Sequence, residues 1–250
     1  MADQLFYSFV TRDGYKGDAP TYFDKDNFDW SEVLEKNWQT IKKELNDFLS
    51  ADKKLWPYFD QSIVSRKNSW KTIPLMAWGV HFRKNQKAAP ETTRLLNQIP
   101  GIVSASFNML DANAQIVPHY GDTDGIMRCH LGIIVPGELP DIGFEVQDEK
   151  RSWHEGELLI FCDAHLHTAW NNTAEKRFIL LFDVIRPEYL QIKRQICSKV
   201  LASLYLQSLS GKLTFLRKLP MSAQMLLYYA AIPAARISVP IRNLISKIVS

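Results

Sequence analysis

The sequence predicts a mainly β fold, a barrel or double-sheet jelly roll, with helices before it and a basic helical tail after it. Three observations carry this. Six short apolar segments follow one another between residues 73 and 185, separated by Gly, Pro, Asn and Asp turns. The preceding region holds apolar residues at helical spacing. Beyond Pro187 the β pattern stops, and so do the acidic residues beyond Glu188.

Residues 28–50, FDWSEVLEKNWQTIKKELNDFLS, place Trp30, Val33, Leu34, Trp38, Ile41, Leu45, Phe48 and Leu49 near one helical face. Asp29 and Ser31 are N-cap candidates. Residues 90–99 form a second expected helix, ended by Pro100-Gly101. Strands are expected at 73–83, 102–110, 127–135, 142–146, 157–161 and 177–185. Residues 189–208 read as helical. Residues 212–250 mix apolar runs with scattered Lys and Arg. The longest charge-free run there, 219–235, contains Pro220 and Pro233. It is too short and broken for a membrane span and suits an amphipathic, surface-lying segment. The expected organisation is an N-terminal helical region over 1–70, a β domain over 71–188 and a basic helical tail over 189–250.

A chain of 250 residues supports one sizeable core, or one core with an appendage. Apolar residues make up 46% and charged residues 23%, which excludes a disordered, collagen-like or coiled-coil chain. Cys129, Cys162 and Cys197 are an odd number at no metal-binding spacing, so a reducing, cytoplasmic setting is expected rather than a disulfide framework. The N-terminus shows no basic region followed by an apolar run, so no secretory signal is expected. The net charge of +3 conceals an asymmetry. Residues 189–250 carry nine Lys and Arg and no Asp or Glu, whereas residues 1–188 carry 21 basic against 27 acidic residues. Such a tail suits a helical cap on the barrel, an oligomer contact, or peripheral contact with an anionic membrane. Nucleic acid is not an expected partner, because the basic residues are not interleaved with a stacking platform.

Four of six histidines fall in two clusters of the β region. One is Pro118-His119-Tyr120-Gly121, followed by Arg128-Cys129-His130; the other is His165-Leu166-His167, followed by Trp170 and Arg177. Iron(II) takes imidazole ligands and needs open positions for cosubstrate and O₂. A planar guanidinium matches a carboxylate, and Arg177 follows His167 by ten residues on the next expected strand. Spacing leaves open whether His165 or His167 partners His119. His81 and His154 lack company and read as structural.

Together these segments say more than their spacing. VPHYGDTDGIMRCHLGIIVP, RSWHEGELLIFCDAHLHTAWNNT and KRFILLFDVIRP, with WKTIPLMAWG and IPGIVSASFNML upstream, resemble the aspartyl/asparaginyl β-hydroxylase family over residues 70–188. The resemblance implies a double-stranded β-helix of cupin-like jelly-roll type, an iron(II) centre, and 2-oxoglutarate and O₂ as cosubstrates. It implies His119 and His167 as metal ligands, with His165 a neighbour. Arg128, grouped with the two histidines as catalytic, and His130 match residues near the keto end of 2-oxoglutarate. Arg177 matches the arginine that holds its far carboxylate. Asn108 stands where a serine assists that grip.

Gly121, two residues after His119, occupies a position that is a carboxylate in many 2-oxoglutarate oxygenases, which implies a two-histidine centre with Asp122 or Asp124 as further candidates. The implied reaction is hydroxylation of an unactivated C–H bond in an Asp or Asn residue or a related amino-acid-containing substrate. A lipid acyl chain at a membrane surface is the alternative. A non-catalytic binding jelly roll is a third reading, against which the intact His119, His167 and Arg177 argue.

Overall fold

A computed structural model describes residues 5–51 and 54–249. Three long strands, β5 (Ile102–Leu110), β7 (Ile126–Ile134) and β12 (Arg177–Ile185), and the shorter β10 (Leu158–Phe161) form the centre of a major antiparallel sheet. Short strands β1 (Tyr22–Phe23) and β2 (Trp56–Pro57), with β3 (Trp70–Ala77) and β4 (Val80–His81), extend it, in the order β1-β10-β7-β12-β5-β3-β2 with β4 on β3. A minor sheet has the order β6-β11-β8-β9, from β6 (Ala114–His119), β8 (Ile142–Val146), β9 (Glu149–Arg151) and β11 (His167–Asn171). Successive strands from β5 onward alternate between the two sheets, with only the β8–β9 hairpin staying in the minor one, which is the winding of a double-stranded β-helix. The fold is therefore the mainly β, cupin-like jelly roll that the sequence implies.

Strand periodicity explains the layering. On β12, Phe178, Leu180, Phe182 and Val184 enter the core on the outer side of the major sheet, while Arg177, Ile179 and Leu181 face the cavity between the sheets. On β7, Met127, Cys129, Leu131 and Ile133 face outward to that core, and Arg128 and His130 face the cavity. The outer side is covered by α1 (Asp29–Lys36), α2 (Trp38–Ser50) and α4 (Pro90–Leu96), which bring in Leu34, Ile41, Leu45, Phe48, Leu95 and Leu96. Each such fully buried side chain contributes about 1.5–3 kcal/mol of transfer free energy. Glu44 of α2 accepts hydrogen bonds from the amides of Glu91 and Thr92, both at 2.8 Å, and so ties α2 to the first turn of α4.

The differences from the expected elements have local causes. The helix expected over 28–50 is two helices, broken at Asn37, whose side-chain amide donates to the carbonyl of Val33. The strand expected at 73–83 is a hairpin, because Trp78 and Gly79 both adopt positive φ between β3 and β4. A short helix, α3 (Arg83–Ala88), follows it. The tail forms α5 (Lys193–Lys212) and α6 (Met221–Val249), and α6 runs through Pro233 and Pro240. Ile196, Val200 and Leu201 of α5 and Tyr228 and Ala235 of α6 pack with Leu5, Tyr7 and Ile126. One face of the tail thus caps the barrel.

Candidate active site

The two central histidines come from adjacent strands of the minor sheet. His119 on β6 and His167 on β11 are direct cross-strand partners, with ring centroids 4.2 Å apart. β6 is an edge strand, which is where Pro118 is tolerated. His119 donates from Nδ1 to the carbonyl of Val117, and His167 from Nδ1 to that of His165, both at 2.9 Å. These bonds fix the neutral tautomer and leave each Nε2 as a lone pair, the form a metal binds. Burial lowers both pKa values, that of His167 well below the ordinary range with His119 adding to the effect, so both rings are neutral at physiological pH. His165 turns away: its Nε2 bonds the carbonyl of Ala19 and its Nδ1 the amide of Gln147.

His130 has the opposite tautomer. Its Nδ1 accepts from Trp153 Nε1 at 3.2 Å, so Nε2 carries the proton. That Nε2–H is buried and has no hydrogen-bond partner among the described residues. Arg177 is 1% exposed, lies 4.4 Å over the ring of Trp153, and leaves Nε and Nη1 without partners among the described residues. Burial alone pulls its pKa down to about 9, so it stays charged at neutral pH. Both residues line the cavity that holds His119 and His167. Unmet donors of a buried cation and an imidazole are costly unless an acceptor arrives. They fit a small anionic ligand with carboxylate and carbonyl oxygens, beside a pair of metal-ready imidazoles.

Arg128 lines the same cavity but is committed. It donates through Nε and Nη2 to Asp183, at 2.8 and 3.2 Å, and Asp183 is its direct partner across the β7–β12 ladder. Its Nη1 lies 2.7 Å from Asp163 Oδ2, an ion pair off the line of a good hydrogen bond. Burial pulls the Arg128 pKa down, but Asp163 and Asp183 outweigh it and hold the group firmly charged. Asn108 also faces the cavity; its carbonyl accepts from Trp70 Nε1 and its amide donates to Ser106. Its donors are therefore already engaged.

The position of the absent carboxylate has a structural explanation. A Cβ on Gly121 would stand 2.2 Å from Asp163 Oδ2 and 2.3 Å from its Cγ. Asp163, fully buried, fills the space that a side chain at 121 would take. Burial raises its pKa to about 7 against the pull of Arg128. Among the described residues no group of three His, Cys, Asp or Glu converges to hold a metal, so Asp163 flanks the histidine pair without completing a triad. Asp124 is directed elsewhere, accepting from the amide of Phe6. Half-buried Asp122 belongs to the field of Arg128 and Asp183, and burial raises its pKa to about 6.

Asp163 and Trp153 were not legible as site residues from spacing. Each follows a strand rather than lying on one, and only the folded chain shows what it touches.

Residues 35–187 match the family model described as aspartyl/asparaginyl β-hydroxylase. The chain is 34% identical over 175 residues to a Rhizobium tropici protein named ornithine lipid ester-linked acyl 2-hydroxylase, covering 68% of this chain and 62% of that one. It is 29% identical to human aspartyl/asparaginyl β-hydroxylase, covering 65% of this chain and 22% of the human protein. It is 31% identical to aspartate β-hydroxylase domain-containing protein 2 of Xenopus tropicalis, covering 74% of this chain and 53% of that one. The aligned region thus spans less than two thirds of each of these relatives. With the family model matched over more than half its length, the chain belongs to the aspartyl/asparaginyl β-hydroxylase family.

Proposed function

We propose that the protein is an iron(II)- and 2-oxoglutarate-dependent hydroxylase. The observation that carries this is the set of unmet donors, Arg177 Nε and Nη1 and His130 Nε2, lining one cavity with two Nδ1-protonated histidines. His119 and His167 would hold the metal through Nε2. Arg177 would grip the far carboxylate of 2-oxoglutarate, and His130 would donate to an oxygen of its other end. Asp163, in the turn after β10 and beside Gly121, supplies a carboxylate near the pair. Bound iron, with 2-oxoglutarate and O₂, supplies the oxidant for hydroxylating a C–H bond, with succinate and CO₂ as coproducts. The chain's own part is to orient the cosubstrate, keep both imidazoles neutral, and exclude water behind Phe161, Phe144 and Trp153.

For substrate, we favour an acyl chain on an amino-acid-bearing lipid. The support is the higher identity to the Rhizobium tropici protein, whose name gives it an acyl 2-hydroxylase activity on ornithine lipid. An Asp or Asn side chain is the second reading, supported by the family's description.

Anaerobic addition of iron(II) and 2-oxoglutarate should produce a weak visible absorption band, and His167→Ala should remove it. Succinate release should rise with an ornithine-type lipid and not with an Asp-containing peptide. An unchanged band in His167→Ala would overturn the metal assignment. Peptide-only stimulation would reverse the order of the two substrates.

A further inference from the structure

The outer face of α6 is apolar along nearly its whole length. Seen along the axis at 3.6 residues per turn, Leu226, Ala230, Pro233, Ile237, Ile241, Leu244 and Ile248 form one stripe. Leu226 is 72% exposed, Ile237 61%, Leu244 60% and Ile248 75%. The helix is not free to roll this stripe inward. On its opposite face Tyr228 and Ala235 are buried, and Asn243 donates to the carbonyl of Gly79 and accepts from the amide of His81. Ser246 bonds the carbonyl of His81, and Tyr205 meets Ser238 at 3.1 Å. The β3–β4 hairpin and α5 therefore set the rotation of α6, and the apolar stripe is held outward.

We infer that this stripe docks on an anionic lipid bilayer, with α6 lying in the plane of the membrane surface. Charge decides between a bilayer and a second copy of the chain. Arg236 and Lys247 flank the stripe, and residues 189–250 contain no acidic side chain. A symmetric contact between two copies would set like charges together, whereas anionic headgroups complement them.

The prolines fix the depth. Pro233 and Pro240 remove the amides that would bond the carbonyls of Tyr229 and Arg236. Those carbonyls are satisfied at a hydrated interface and not in hydrocarbon. Among the described residues no helix is long and apolar enough to cross a membrane, so the stripe lies on the bilayer. At 1.5 Å per residue, the stripe from Leu226 to Ile248 offers a contact about 33 Å long. This surface goes beyond the hydroxylase reading and is tested without turnover.

The test is flotation of the full chain with phosphatidylcholine vesicles, with and without phosphatidylglycerol. The wild type should float with the anionic vesicles and remain below with phosphatidylcholine alone. Ile237→Ser with Leu244→Ser and Ile248→Ser, all at exposed positions, should keep the thermal midpoint and weaken binding by at least about tenfold. Arg236→Gln with Lys247→Gln should weaken it about fivefold per charge. His167→Ala should float like the wild type, separating this surface from the metal site. The inference fails if the wild type does not float with anionic vesicles, or if the triple Ser variant floats equally well. It also fails if light scattering shows a dimer that the Ser substitutions dissolve while no form binds vesicles.

Discussion

Arg128 and Arg177 stand on adjacent strands of the major sheet, on the same inward face, and line the same cavity. Their surroundings are opposite. Arg128 has Asp183 across the ladder and Asp163 against its Nη1. Arg177 has an indole face beneath it, and its Nε and Nη1 have no acceptor. A protein that buries two guanidiniums and pairs one of them assigns them different work. Arg128 is tied into the frame at the end of the cavity near Asp163. In the proposed function, Arg177 is the one that receives an acceptor from outside.

The largest effect is expected where pairing is densest. Arg128→Met leaves Asp163 and Asp183 buried without their cation, which should lower unfolding free energy by about 3–5 kcal/mol. Urea denaturation at neutral pH measures this. A loss below about 1 kcal/mol would show that the carboxylates do not depend on Arg128.

Arg177→Met should act in the opposite sense on stability. Removing a desolvated, unpaired cation should raise unfolding free energy by about 1–4 kcal/mol, while 2-oxoglutarate affinity falls about 100-fold. The pH dependence carries a sign. Burial depresses the Arg177 pKa to about 9, below its ordinary value of 12.5, so above pH 9 the unfolded chain binds more protons than the folded one. The penalty is present below pH 9 and shrinks as pH rises through it, so the stability gap between variant and wild type should narrow there. Equal stability of the two forms at pH 7 would erase the contrast between the arginines.

Much of this was legible in the sequence, and the exceptions share a cause. β5 and β12 lie where apolar runs place them, because strands buried on both faces write themselves as continuous runs. β6 and β11, which carry the two central histidines, were not recognised as strands. Their sheet is half exposed, β6 contains Pro118, and β11 opens with His167 after a turn. Spacing and chemistry singled out His119 and Arg177, and the family resemblance chose His167 over His165. The engagement of Asn108 with Ser106 and Trp70, and of Arg128 with two aspartates, depends on cross-strand register that no single segment encodes. In the tail, two prolines disguised a continuous helix that is anchored through its other face by Asn243 and Ser246.

Gly121 extends the comparison to the carboxylate side. Restoring the common His-x-Asp pattern by Gly121→Asp should not build a better metal site. Its Cβ would collide with the buried carboxyl of Asp163, at a stability loss of about 1–3 kcal/mol. Asp163→Gly in the same chain should recover part of that loss by emptying the space. Thermal unfolding of the single and double variants reads it directly. A Gly121→Asp chain as stable as wild type would show that Asp163 moves aside freely.

The smallest expected effect tests how Asp163 shares Arg128. Burial raises the Asp163 pKa to about 7, with Asp183 and Asp122 adding to the rise and Arg128 opposing it. The unfolded side chain titrates at about 3.9. Between these values the folded protein keeps a proton that the unfolded chain releases. The associated stability is therefore full below about pH 4 and lost as pH rises through 7. Asp163→Asn cannot titrate, so unfolding free energy, measured in a chelator to keep metal out, should fall less between pH 5 and 7 in the variant. The slope should diminish rather than vanish, because Asp122, raised to about 6, acts in the same direction. An unchanged slope would mean that Asp163 is ionised throughout and that Arg128 serves two full charges. A reduced slope would mean that Asp183 is the standing partner of Arg128, and that Asp163 carries an exchangeable proton beside the two histidines.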